Sequence, residues 1–373
     1  MIKIKEIFKI RYTITVTIWE IIFLVKKKLK FNDGTKIIFI VENADWAISN
    51  VGNYIANNLN KSKESLISLS SKPQQHHNKL LHFGSHYMWL QWYKYLNDSN
   101  KYVVSFFHGN PENSEEEKAV FDRFLLSSYK IEKIIVSNSI VKNRLIKHGI
   151  DLSKIILIPI GVDTKFFIPP TKDQKIKARE YFKFKKEEII IGSFQKDGEG
   201  WKEGLKPKLI KGPDIFLKVV ELINKKHKIK ILLTGPARGY LINGLKKRKI
   251  DFIHNYLNKY SDILKYYHAL DFYLVTSREE GGPMGLLESM SSGVQVVTTN
   301  VGMAPDFINK DSGLIVNSFD PTIIAEHFNK MLSKHNSCYS KSIKRKNILM
   351  ADWNKVAKSH FENVYSKILK NMK

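Results

Sequence analysis

Short apolar runs recur along the chain with helix-like stretches between them. The first is KIIFIV (36–41), followed by a helical pattern from Ala47 to Leu59; then come LLHFG (80–84), YVVSFF (102–107), KIIVSN (133–138) and KIILIP (154–159). These runs are apolar throughout rather than alternating, the mark of strands buried on both faces, as in parallel sheets. Strands alternating with helices predict an α/β layered fold. A charged connector, PPTKDQKIKAREYFKFKKEE (169–188), interrupts the series. Its leading prolines cannot donate to a sheet ladder, and it reads as a hinge. The pattern then restarts with IIIGSF (189–194), KIKILLTG (228–235), DFYLVTS (271–277), VQVVTT (294–299) and GLIVN (313–317). Two successive α/β sets predict two similar lobes, with a central cleft between them as the default ligand site. At the end of the chain, Trp353, Val356, Phe361, Val364, Ile368 and Leu369 have the spacing of one amphipathic helix packed on a core.

Composition adds boundaries. At 373 residues the chain exceeds one ordinary core, so two domains of about 150 to 200 residues are expected. The boundaries drawn are 1–34 for a basic and apolar N-terminal segment, 35–168 with the returning stretch 352–373 for the first lobe, and 169–351 for the second. A single cysteine, Cys338, leaves no internal disulfide and fits a reducing, cytoplasmic compartment. Lys and Arg number 61 against 36 Asp and Glu, a net charge of +25 that favours anionic partners such as nucleotide phosphates or a phospholipid surface. The lysines are spread over the whole chain, and no zinc-finger spacing or RNA-recognition signature appears, so nucleic acid is not expected as a partner. The apolar run from Tyr12 to Val25 contains Glu20 and falls short of the ~20 residues a bilayer span needs. It has no small-residue cleavage site, so it does not read as a signal peptide. Its basic flanks and Trp19 suit a membrane interface, and equally a strand or helix packed on the body of the protein.

The stretch that carries chemistry is REEGGPMGLLESMSSGVQVV (278–297). DFYLVTS ends a buried strand at Ser277, so Arg278 to Gly282 form a loop at its carboxyl end. Pro283 suits the first turn of the helix that follows, and Gly293 its left-handed end. The N–H groups of Met284, Gly285 and Leu286 then have no partner within the helix, and with the helix dipole they make an anion site. Gly281 and Gly282 allow a ligand close to the backbone. Glu280 and Glu288 flank this cradle. Carboxylates repel phosphate but accept hydrogen bonds from hydroxyls, and can hold a vicinal diol. A ligand with hydroxyls, then phosphates, then hydroxyls is a nucleotide sugar.

EGGPMGLLESMSSGVQVVTTNVGMAPDFI resembles the E-x7-E segment of the group-one nucleotide-sugar glycosyltransferases, a retaining family with the GT-B fold. ILIPIGVDTKFF (156–167) is similar to that family's inter-lobe signature, KGPDIFLKVVELI (211–223) to its Lys-Gly turn, and DWNKVAKSHFENVY (352–365) to its closing helix. The resemblance covers roughly residues 36 to 370 and is stronger in the second lobe. It implies two Rossmann-like lobes facing a central cleft, with the C-terminal helix crossing back to the N-terminal lobe. It further implies that Glu280 contacts the transferred sugar, Glu288 the nucleotide ribose and Lys211 the diphosphate. His108, after YVVSFF, stands where the family places a histidine near the donor sugar. No carboxylate is placed as a nucleophile, because retention in this family is thought to proceed by same-face attack assisted by the leaving phosphate. The sequence departs from the family in two places. The arginine expected after the first strand of the donor lobe is missing, and the place reads GSFQKDGEGWKEGLKPK, where Lys196 is the substitute and Asp197 to Leu209 an insertion. The Gly-Gly loop after the first strand reads ENADWAISNVGNY instead, where Asp45, Trp46, Asn50 and Gly52 are the acceptor candidates.

The implied activity is sugar transfer from a nucleotide-diphosphate sugar to a lipid-linked or polysaccharide acceptor. It would run on the cytoplasmic side, peripheral to the inner membrane face, with no cofactor and no metal. A catalytically silent scaffold of the same fold is the alternative. GEGWKEG (198–204) has one residue too many before its last glycine for a dinucleotide fingerprint and leads into LKPKL, which starts no helix. His76 and His77 lack carboxylate or cysteine partners at ligand spacing.

Overall fold

The computed structural model describes residues 17–18, 34–42, 47–61, 65–310, 312–334, 345 and 347–372. Almost all of the apolar run from Tyr12 to Val25, and also Asp45, Trp46 and Cys338, lie outside the described residues.

The chain divides into two compact units: Met1–Ser137 with Val141–Pro159 and Trp353–Lys373, and Asn138–Ile140 with Ile160–Asp352. The main crossing thus falls at 159/160, where the sequence reading put it at 168/169. Each unit carries one six-stranded sheet. In the first, β1 (Ile37–Ile40), β2 (Ile67–Ser70), β3 (Leu80–Phe83), β4 (Lys101–Ser105), β5 (Lys133–Val136) and β6 (Ile155–Leu157) lie in the order β2-β1-β3-β4-β5-β6. In the second, β7 (Ile189–Ser193), β8 (Ile229–Thr234), β9 (Phe252–Asn255), β10 (Phe272–Val275), β11 (Gln295–Thr299) and β12 (Gly313–Val316) lie in the order β12-β11-β10-β7-β8-β9. Every pairing is parallel. Such sheets need cover on both faces, and their central strands, such as IIFI, LLHF and FYLV, are fully buried.

Two strands escape the pattern reading, β2 and β9. Both are sheet edges, and their residues are mostly or wholly half-buried. Polar residues in ISLS and FIHN break the apolar run, whereas the other two edge strands, β6 and β12, keep it. The charged connector is not an open hinge. Lys172–Tyr181 is a helix begun by a capping box between Thr171 and Gln174, and it lies inside the second unit.

The C-terminal stretch belongs to the first unit but is not one regular helix. Trp353–His360 is α-helical, Phe361–Tyr365 forms a π-helical turn, and Ser366–Asn371 resumes the α-helix. Trp353 stacks on Tyr54 of the helix Ala47–Asn60, with ring centroids 4.6 Å apart. Tyr365 reaches under the sheet, where its hydroxyl lies 2.6 Å from Nδ1 of the buried His82. The other nitrogen of His82 meets Ser105 Oγ at 2.9 Å. Among the described residues no helix is long and apolar enough to cross a membrane.

Candidate active site of the second unit

The order of the second sheet reverses between β7 and β10. From β7 the chain steps outward through β8 to β9, and from β10 the other way through β11 to β12. Loops leaving the carboxyl ends of the two strands on either side of such a reversal part from each other and leave a crevice. The loop after β7 carries Lys196, the insertion and Lys211; the loop after β10 carries Ser277, Glu280, Gly281 and Gly282.

These loops are bonded to each other. Arg278 N–H donates to Ile210 O at 2.8 Å, and the Arg278 guanidinium holds Asp214 in a two-pronged pair at 2.8 and 2.7 Å. Thr276 Oγ1 donates to Gly212 O at 2.9 Å. Gly212 has φ +63°, and a Cβ placed on it would stand 1.8 Å from Thr276 O, so only glycine fits. The lysine beside it is thereby aimed. Lys211 Nζ lies 2.5 Å from Glu280 Oε2, while Ser277 Oγ donates to Glu280 Oε1 at 2.8 Å. Glu280 is only 6% exposed, so this cation and hydroxyl replace its lost water.

Glu288 is also buried, at 4% exposure, and sits inside the helix Met284–Ser291. Its Oε2 accepts from the buried Tyr267 hydroxyl at 2.6 Å, and its Oε1 from the hydroxyl of Tyr260, whose ring is 53% exposed. Burial pushes the Glu288 carboxyl up, and the two tyrosine hydroxyls oppose that. Each carboxylate oxygen of Glu280 and Glu288 keeps a second lone pair for a ligand hydroxyl. At the helix start Pro283 is the residue before the first turn rather than within it, with φ −68° and ψ 101°. Leu286 N–H donates to Pro283 O at 2.9 Å, which leaves Met284 and Gly285 as the amides without a hydrogen bond among the described residues. A Cβ on Gly285 would lie 2.1 Å from the Tyr273 hydroxyl, so the helix start is seated against β10. Gly293 closes the far end with φ +74°, where a left-handed residue was expected.

Lys196 does not point at this pair. Its Nζ sits 3.7 Å from the centroid of Trp201, a residue of the insertion. Sequence reasoning missed Tyr260, Tyr267 and Ser277, and also Arg238. Tyr267 sits in the apolar pattern of YYHAL and is indistinguishable there from core. Arg238 is fully buried and binds Ser193 O, Gln195 O and Thr234 O at 2.8, 2.5 and 2.9 Å. Its Nε lies 3.2 Å from Asp197, so one side chain ties the ends of β7 and β8 to the start of the insertion.

In the first unit, His108 follows β4 and lies 5.9 Å from His86 and 5.8 Å from Tyr87, ring centre to ring centre. His86 is buried on Phe106, and burial first, then His108, lowers its pKa to about 3, so it is neutral. Asn50 is exposed on the helix Ala47–Asn60, and Gly52 is packed under Phe39. Among the described residues no group of three or more His, Cys, Asp or Glu is placed to hold a metal ion.

A model of the family described as "Glycosyl transferases group 1" matches residues 205–347. The GDP-mannose-dependent monoacylated alpha-(1-6)-phosphatidylinositol monomannoside mannosyltransferase of Corynebacterium glutamicum is 25% identical over 181 residues, 45% of this chain and 44% of that protein. The lipopolysaccharide core biosynthesis mannosyltransferase LpsB of Rhizobium meliloti is 26% identical over 171 residues, 43% of this chain and 45% of its own. The chain thus spans less than half the length of these curated relatives. Anabaena HepE, solved in complex with UDP, superposes with a TM-score of 0.69 at 14% identity, over 89% of this chain and all of its own. That likeness shows the fold, GT-B, with its two α/β units. The segment that holds Lys211, Glu280 and Glu288 is thus similar to the group 1 glycosyl transferases.

Proposed function

We propose that the protein is a glycosyltransferase that moves a hexose from a nucleotide-diphosphate sugar to a lipid-linked or polysaccharide acceptor, with retention at the anomeric carbon. The observation that carries this reading is the ion pair between half-buried Lys211 and buried Glu280 at the β7/β10 reversal, beside a helix start with two open amides. As the sugar–phosphate bond breaks, negative charge grows on the leaving diphosphate, and a fixed lysine and helix-start amides stabilise it most at that moment. Glu280 accepts a hydroxyl of the sugar, and Glu288 the ribose diol, in place of or beside the Tyr260 hydroxyl. Retention follows if the acceptor hydroxyl attacks from the face the phosphate leaves and gives its proton to a departing phosphate oxygen. No residue then has to form a covalent intermediate. The positive charge comes from the protein, so no metal is required in this reading. His108 is assigned to the donor sugar and Asp45, Trp46 and Asn50 to the acceptor on the family resemblance alone. A +25 chain and relatives named for glycolipid and lipopolysaccharide work support an acceptor at an anionic membrane surface on the cytoplasmic side.

The test is a melting-temperature screen against UDP- and GDP-sugars, followed by turnover with lipid-linked acceptors and determination of the product anomer. A donor at a hundred times its Kd should add about 2.7 kcal/mol of apparent stability. Lys211→Ala should mainly slow turnover, and Glu288→Ala mainly weaken donor binding. Binding without turnover under any acceptor would make the protein a silent member of the fold; no binding at all would end the nucleotide-sugar reading.

A further inference from the structure

The insertion 197–209 is a hydrogen-bonded arm that returns to its starting point. Gly198 and Pro207 form an antiparallel bridge, Glu199 N–H donates to Lys206 O at 2.8 Å, and Lys208 N–H donates to Asp197 O at 2.8 Å. The middle of the arm is fastened to the helix Gly239–Lys247, which follows β8. Gly239 N–H donates to Glu203 O at 2.7 Å and Tyr240 N–H to Gly204 O at 3.0 Å. Gly204 has φ +68°, and a Cβ on it would stand 2.3 Å from Ala237 O, so the arm lies directly on the chain that enters this helix. There it walls a cavity of about 630 Å³, whose other sides are the loop after β8, the helix and the end of β9. That volume suits a small-molecule site. In the order β10-β7-β8-β9, strands β8 and β9 lie about 5 to 10 Å beyond the β7/β10 reversal.

Trp201, Leu205 and Tyr256 line this cavity and stay largely exposed, Trp201 at 62% and Tyr256 at 68%. Large apolar side chains gathered in the open around one hollow mark a binding surface. The indole of Trp201 is also held in place, because Lys196 Nζ sits 3.7 Å from its centroid. A platform fixed beforehand loses little freedom when a ligand arrives. Glu203 and Asn243, both exposed, line the same cavity and offer a carboxylate and an amide to hydroxyls. The cavity is not built for an anion. The first amides of the helix are taken by Glu203 O and Gly204 O, Arg238 is committed to three carbonyls and Asp197, and Lys202 and Glu203 offset each other in charge. A pyranose has the matching chemistry. Its C–H face packs on an aromatic ring while its rim hydroxyls reach polar groups. We propose that this cavity is a carbohydrate-binding site apart from the crevice of Lys211 and Glu280. It takes a neutral hexose unit of a glycan, with Trp201 as the stacking platform, and the insertion serves to present that ring. The site goes beyond the transfer reading and does not depend on it.

The test is calorimetric titration of the whole protein with neutral oligosaccharides of mannose, glucose and galactose, with and without saturating UDP or GDP. At least one should bind, with a Kd on the order of 1 mM. Trp201→Ala should weaken that binding about tenfold or more, as expected for loss of a central aromatic contact. Trp201→Tyr, which keeps a ring, should retain most of the affinity, and Leu126→Ala, an exposed apolar residue of the first unit, all of it. No binding of any of the three sugars, or an unchanged affinity in Trp201→Ala, overturns the proposal. Displacement of the oligosaccharide by UDP or GDP also overturns it, because the cavity would then belong to the donor crevice. Oligosaccharide binding that needs Trp201, in a protein that binds no nucleotide, upholds this site and ends the donor reading instead.

Discussion

Glu288 shows how a single side chain constrains the reading. Its charge is buried and held by two tyrosine hydroxyls, so the ionised form costs stability that is relieved as pH falls through its raised pKa. Glu288→Gln removes that cost and can still accept one tyrosine hydrogen bond. The variant should melt at or above the wild-type temperature at pH 7, lose the acid-side relief, and bind UDP or GDP at least about tenfold more weakly. Melting curves and calorimetry check both parts, and an unaltered nucleotide affinity would remove Glu288 from the site. The glutamates, Lys211 and the glycines were legible because the loop and helix that carry them are contiguous in sequence. Their partners were not. Ser277 and Tyr267 stand in apolar patterns, and only the folded sheet shows that their hydroxyls face a carboxylate. The contact of Lys196 with Trp201 was hidden for the same reason, since a cation–π contact leaves no periodic trace.

At the scale of elements, apolar runs gave the central strands, and the edge strands β2 and β9 were lost because half-buried residues mix polar with apolar. Arg238 is the element-scale counterpart of a core residue. It joins the ends of β7 and β8 to the insertion by bonds to three carbonyls and by its pair with Asp197. Burial, against the attraction of Arg238, raises the Asp197 pKa to about 6. Arg238→Met should therefore cost about 3–5 kcal/mol by stranding that carboxyl, and adding Asp197→Leu should recover much of the loss. Urea unfolding at pH 7 measures both. If Arg238→Met unfolds at the wild-type midpoint, the side chain does not pin the loop.

At the scale of the whole molecule, two sets of strands predicted two units, and the returning C-terminal stretch was visible as an amphipathic pattern. Its π-helical turn was not; that turn carries Tyr365, whose hydroxyl meets His82. That contact makes the first unit sensitive to acid. Burial holds His82 well below its ordinary pKa, with His360 adding to this, and lowers His360 to about 4. Both are neutral when folded, so the stability they permit is complete above pH ~6.5 and is lost as pH falls below it. Between pH 6.5 and 4, His360→Phe should flatten the fall in unfolding free energy by up to about 1.4 kcal/mol per pH unit relative to wild type. An identical slope in the two proteins would refute the assignment. The stitch between the β7 and β10 loops has an evolutionary corollary. With no room for a methyl at Gly212 under Thr276, and Arg278 clasping Asp214, neither loop is exchangeable alone. A chimera that borrows one of these segments from a cousin must transplant both together, and natural drift in one is checked by the other.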